Sequence, residues 1–218
     1  VYETSDNEHT SYELTKTILN KYDNLDLLYV THSGGATIAK AVYDSGKIGK
    51  VKIITHDLST DTMNYVKDGL ITATISQDGF GQGYDTVINI YNHLVAGWHP
   101  GTPRLLTNME LVTKDNYQLY WQKGRGIIES DFVKARRPKP IKESPRKIKI
   151  AFLGRDGNEF FDSIKAGVNS ATITLKNLNA DVEWIIPDGF HTKNGIDASA
   201  KVFGKTIDEC IFKKFDAI

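Results

Sequence analysis

Residues 51–77, VKIITHDLSTDTMNYVKDGLITATISQ, constrain this chain more than any other stretch, because two short β-branched runs flank a single helix-length polar segment. VKIIT reads as a buried strand that ends on His56 and Asp57. Ser59, Thr60 and Asp61 then offer capping oxygens ahead of Met63, Tyr65 and Val66, and Gly69 stops that helix. LITATIS reads as a second strand, parallel to the first, and it ends on Gln77. Asp57 and Gln77 are therefore expected to leave the carboxyl ends of two strands of a parallel sheet, where ligands sit in such sheets. A carboxylate accepts hydrogen bonds from paired hydroxyls and a carboxamide both donates and accepts, so the pair suits a polyhydroxylated or amino-bearing small molecule. The alternative is that Asp57 caps its helix and Gln77 is solvated.

Around this unit the same strand-then-helix order repeats, which predicts an α/β fold of doubly wound parallel sheets with helices on both faces. VYETS reads as an opening strand, followed by a helix capped by Thr10 or Ser11. LDLLYVT is a further strand running into HSGGAT, whose glycines fall where strand gives way to helix. That turn has neither the spacing nor the lysine of a phosphate-binding loop and is not a dinucleotide fingerprint, so no cofactor is expected. His32 and Ser33 emerge there as candidate ligand contacts. As a catalytic pair they would point to opposite sides of the chain without a third partner, so no catalytic residue and no metal ligand is assigned. A glycine-opened helix (DGFGQGYDTVINIYNHLVAGW) and a strand within RLLTNMELVT complete the pattern.

A compositional break follows. Residues 123–149 carry ten Lys or Arg against three Asp or Glu, in a chain that holds 27 basic and 27 acidic residues in all. Pro138, Pro140 and Pro145 fall inside this basic stretch, which has no apolar period and is expected to be an extended, solvated linker over 123–146 rather than a nucleic-acid contact. A second α/β pattern, residues 147–218, then begins with KIKIAFLG and stops at FDAI, a third strand just started. Cys210 lies on a helical stripe with Ile207, Ile211 and Phe215 and is expected to be a buried structural thiol. No apolar run is long enough to span a bilayer.

These segments resemble the type I periplasmic-binding-protein fold, shared by ribose-binding-type receptors and the effector domains of lactose-repressor-type regulators. DLLYVTHSGGATIAKAVYDSGKIGKVKIITHD and DGLITATISQDGFGQGYDTVINIYNHL are similar to the family's closing lobe, and KIKIAFLGRDGNEFFDSIKAGV to its opening lobe. The resemblance implies a closing lobe at 1–122 placed before a truncated opening lobe, as in the end of one module and the start of a second, with circular permutation as the alternative. It implies that Asp57 and Gln77 bind ligand, and that Asn158, Phe160 and Phe161 touch or stack on it. His32 and Ser33 stand where the family commonly has Asn-Asp, and Glu159 replaces its usual proline.

The resulting expectation is a non-enzymatic module that closes over a sugar-like ligand, as the sensing domain of a transcription regulator. An extracytoplasmic receptor of a sugar transporter is the alternative, and an α/β enzyme the more distant one. A homo-oligomer is compatible with this reading, DNA would be contacted only by a domain outside this chain, and the cellular compartment stays open.

Overall fold

The computed structural model describes residues 1–4, 7–32, 34–157, 159–188 and 195–218, with side chains from residue 200 onward in the last segment. In chain order the elements are α1 (Glu8–Lys21), β1 (Leu27–Tyr29), α2 (Gly35–Asp44), β2 (Lys52–His56), α3 (Thr60–Lys67), β3 (Ala73–Ser76) and α4 (Gly79–Ala96). There follow β4 (Glu110–Val112), β5 (Trp121–Gln122), β6 (Gly126–Ile127), α5 (Asp131–Arg136), β7 (Ile148–Leu153), α6 (Glu159–Leu175), β8 (Ala180–Ile185) and α7 (Gly195–Phe212). The chain forms two compact units, residues 1–77 with 108–135, and residues 78–107 with 136–218.

The first unit is built on a sheet of order β1-β2-β3-β4, parallel through β1, β2 and β3, with β4 antiparallel at the edge. The register pairs Thr55 with Thr74 and His56 with Ile75, so β2 and β3 end at the same level. One sheet face is buried: Ile53 packs with Leu19 of α1, Ile38 and Val42 of α2 and Val66 of α3. Burying each such side chain contributes about 1.5–3 kcal/mol, which explains why three short, weakly amphipathic helices are stable here. The opposite face carries Leu27, Tyr29 and Leu111, all exposed. A smaller cluster of Leu58, Met63, Val112 and Trp121 closes the β4 side.

Local signals differ from expectation at the start of the chain. Val1–Thr4 are not in a strand, and α1 is capped by Asn7, which accepts the Thr10 N–H at 2.8 Å. Ser11 lies buried within the helix, where its carbonyl accepts the Thr15 hydroxyl at 2.7 Å. An asparagine in extended conformation just before the helix is the stronger cap, and it displaces Thr10 and Ser11 from that role.

The second unit joins α4 to β7, α6 and β8. Val87, Ile88 and Tyr91 of α4 pack with Val168, Ala171 and Leu175 of α6 over Ile148 and Ile150 of β7. The helices approach closely because glycines face backbone: a Cβ on Gly83 would run into the Ile164 carbonyl, and one on Gly167 into the Phe80 carbonyl. β7 pairs in parallel with β8, and Ala217 forms an isolated parallel bridge with Ile150 of β7. Cys210 is buried, whereas Ile207 and Ile211 of its stripe are exposed.

The basic stretch is the clearest departure from the sequence reading. Instead of a solvated linker over 123–146, it holds β6, α5 and a strap running along α4. Arg137 is only 9% exposed and forks onto Asp78 at 2.6 and 2.8 Å, with a further bond to Asp85 at 2.9 Å. Asn92 then donates to the Lys139 carbonyl at 3.0 Å and accepts the Ile141 N–H at 2.9 Å. Ser144 is buried, and the Tyr91 hydroxyl lies 2.9 Å from the carbonyl oxygens of both Lys142 and Leu178. Prolines and charges alone look like tether, but here α4 supplies partners some 50 positions earlier in sequence. For the same reason the division of the chain differs from expected bounds at 122 and 147: residues 78–107 group with 136–218.

Candidate functional site

The first unit places a polar cluster at the ends of its parallel strands. Asp57 follows β2 with φ 71°, a left-handed conformation that asparagine and aspartate tolerate better than most residues. Its backbone is held on both sides by β3, since the Asp57 N–H donates to the Ile75 carbonyl at 3.0 Å and the buried Thr74 hydroxyl donates to the Asp57 carbonyl at 2.7 Å. Gln77, one residue beyond β3, donates its side-chain N–H to Asp57 Oδ1 at 2.7 Å. The carboxylate and carboxamide expected at neighbouring strand ends are thus brought together. Helix capping is not the role of Asp57, because Ser59 caps α3 by accepting the Thr62 N–H at 3.2 Å.

Burial raises the Asp57 carboxyl above the usual aspartate value, while the Gln77 hydrogen bond and the nearby His56 and His32 pull it back down. The carboxylate is thus poorly hydrated and receives its direct hydrogen bond from a neutral amide. A desolvated acceptor in that position gains most from ligand hydroxyls that donate to it.

His32 is placed differently. The Gly34 N–H donates to Nδ1 at 2.9 Å, which assigns the neutral-ring proton to Nε2, 3.1 Å from Thr4 Oγ1. With both ring nitrogens engaged, His32 ties Thr4 to the turn before α2 and is not poised as a base. The ring folds back so closely that a side chain at Gly34 would collide with it, and one at Gly35 would collide with Thr55. Gly35 therefore serves close packing of α2 on β2, while Gly34 leaves room for the His32 ring. His56 bonds the Tyr29 hydroxyl through Nε2 at 2.7 Å and meets its ring edge-on. Ser33 and Asn158 lie outside the described residues.

In the second unit, Phe160 and Phe161 at the start of α6 meet edge-to-face, with centroids 5.4 Å apart. Phe161 lines a cavity of about 870 Å³ together with Arg155, Phe152, Trp184, Gln82 and Asp85, whereas Phe160 is not among its walls. The Arg155 guanidinium lies 4.4 Å from the Phe161 ring centre, and Phe152 stacks on Trp184 at 5.4 Å. Sequence reasoning missed Phe152 and Trp184. Their positions near the ends of β7 and β8 were the available signal. Among the described residues no group of three or more His, Cys, Asp or Glu could hold a metal ion, and no helix is long and apolar enough to cross a membrane.

Residues 1–97 match the family model of the periplasmic binding protein domain. A comparison with curated proteins returned no match. Similar solved structures include GanP, a glucose-galactose binding protein from Geobacillus stearothermophilus, at 26% identity over 52% of this chain and 40% of that one, TM-score 0.47. AraP, an arabinose binding protein from the same organism, is 28% identical over 51% of this chain and 41% of its own, TM-score 0.45. A sugar ABC transporter sugar-binding protein from Bacillus halodurans is 24% identical over 51% and 42%, TM-score 0.45. The chain thus spans about two fifths of the length of the solved proteins it matches. The fold is α/β, and residues 1–97, which carry the Asp57–Gln77 pair, are the part that matches the periplasmic binding protein domain.

Proposed function

We propose that the protein binds a sugar through Asp57 and Gln77 and serves as a solute receptor of the transport type. The observation that carries this reading is the 2.7 Å bond between the Gln77 amide and Asp57 Oδ1 at adjacent strand ends. A pre-ordered carboxylate and carboxamide present a fixed set of acceptors and donors, which suits the closely spaced hydroxyls of a sugar and costs little reorganisation on binding. The regulator reading rests on resemblance alone, whereas the family matched over residues 1–97 is described as a periplasmic binding protein domain, which favours the transport role.

Calorimetry with D-glucose, D-galactose, L-arabinose, D-xylose and D-ribose tests it. One of these is expected to bind, and Asp57→Asn, which keeps the left-handed backbone preference but removes the charge, is expected to weaken binding at least tenfold, since hydrogen bonds to charged groups contribute about 1.5–3 kcal/mol. Binding that Asp57→Asn leaves unaltered would overturn the reading.

A further inference from the structure

Asp78 is the residue at which the chain leaves the first unit, and it is bonded in sequence to Gln77. Its backbone is left-handed, with φ 49° and ψ 57°, and its carboxylate does three things at once. Oδ1 accepts the Gly81 N–H at 3.0 Å, capping α4, and also accepts Arg137 Nη2 at 2.6 Å. Oδ2 accepts Arg137 Nη1 at 2.8 Å. The same Nη1 reaches Asp85 Oδ2 at 2.9 Å one turn further along α4, and the guanidinium carbon lies 5.4 Å from the Phe80 ring centre. Arg137 and Asp78 are 9% and 12% exposed. A two-pronged, nearly buried ion pair fixes direction as well as distance. What it fixes here is the conformation of the residue following Gln77.

We propose that Arg137 is a positioning residue for ligand binding, acting through Asp78 to set the backbone from which the Gln77 carboxamide reaches Asp57. The inference rests on the sugar-binding reading of Gln77 and adds a residue 60 positions away in sequence, in the stretch that composition marks as a linker. An arginine serving only to hold α4 would act on stability without regard to Gln77. A positioning arginine acts on affinity, and only while Gln77 has its side chain.

A double-mutant cycle on the full chain separates these roles, with sugar affinity measured by calorimetry on the panel above and melting followed in parallel. Arg137→Lys keeps the charge and loses the fork. It is expected to weaken binding five- to tenfold, Gln77→Ala is expected to weaken it by a similar factor or more, and the double variant is expected to bind no worse than Gln77→Ala alone. Asp78→Asn, which keeps the cap and the left-handed preference, replaces Arg137→Lys in the cycle if the latter does not fold. Additive losses, or wild-type affinity in Arg137→Lys, would overturn the inference and leave the sugar reading standing. Absence of sugar binding by the unaltered chain would remove both.

Discussion

Asp57 and Asp78 are the same residue in the same left-handed backbone, yet their surroundings assign them opposite work. Asp78 is neutralised by the fork of Arg137 and spends an oxygen on the cap of α4. Among the described residues no Lys or Arg pairs with Asp57, whose direct side-chain partner is the neutral Gln77 amide. A half-buried carboxylate with a cation is part of the scaffold. One without a cation costs stability, a cost that the proposed ligand would offset by donating hydrogen bonds to it.

The contrast breaks most visibly at Arg137. Replacing it with Met leaves Asp78 and Asp85 without their guanidinium, and loss of one partner of a buried pair costs about 3–5 kcal/mol. Urea denaturation of Arg137→Met should show that loss, and restoration of stability in Arg137→Met/Asp78→Asn would trace it to the stranded charge. A loss below about 1 kcal/mol would make Asp78 no more structural than Asp57.

A smaller effect is expected where the second unit's helices touch. Gly83→Ala places a methyl group against the Ile164 carbonyl, and backbone cannot yield as a side chain end can. Overpacking of this sort costs about 1–3 kcal/mol, readable as a lower urea midpoint with unchanged slope. Gly97→Ala offers the control: nothing lies within 4 Å, so its cost comes from the left-handed φ of 64° alone, about 1 kcal/mol.

These same residues show what sequence could and could not convey. Asp57 and Gln77 were legible because an apolar run that ends in a polar residue marks a strand end, and parallel strands align their ends. The role of Arg137 was not, because its partners Asp78 and Asp85 lie 59 and 52 positions away and no local pattern connects them. The partner of His32 was hidden for the same reason, Thr4 being 28 positions distant from the Nε2 it meets. The placement of α4 in the second unit had a usable trace. Gly79 and Gly83 are one turn apart and leave a smooth stripe for a close helix neighbour, matched by Gly167 on α6.

The smallest expected effect concerns pH, and it sharpens the contrast between a carboxylate with a cation and one without. Asp216 is bonded by Arg146 at 2.7 Å, and that hydrogen bond holds its carboxyl below the usual aspartate value. Its contribution to stability is present above the unfolded value and is lost as pH falls through the lowered one. Asp57 runs the other way. Burial raises its folded value, so the folded chain holds the proton more tightly than the unfolded chain, and stability attributable to Asp57 falls as pH rises from the unfolded value through the raised one. Asp57→Asn removes that penalty and should therefore melt slightly higher than the unaltered chain at neutral pH, with the difference vanishing below the ordinary aspartate range. Asp216→Asn should melt lower at neutral pH and converge with the unaltered chain in acid. Melting curves of the three proteins across that range decide the matter: if Asp57→Asn and Asp216→Asn shift in the same direction at neutral pH, the two carboxylates are not opposites, and the case for Asp57 as a ligand-completed group loses its energetic support.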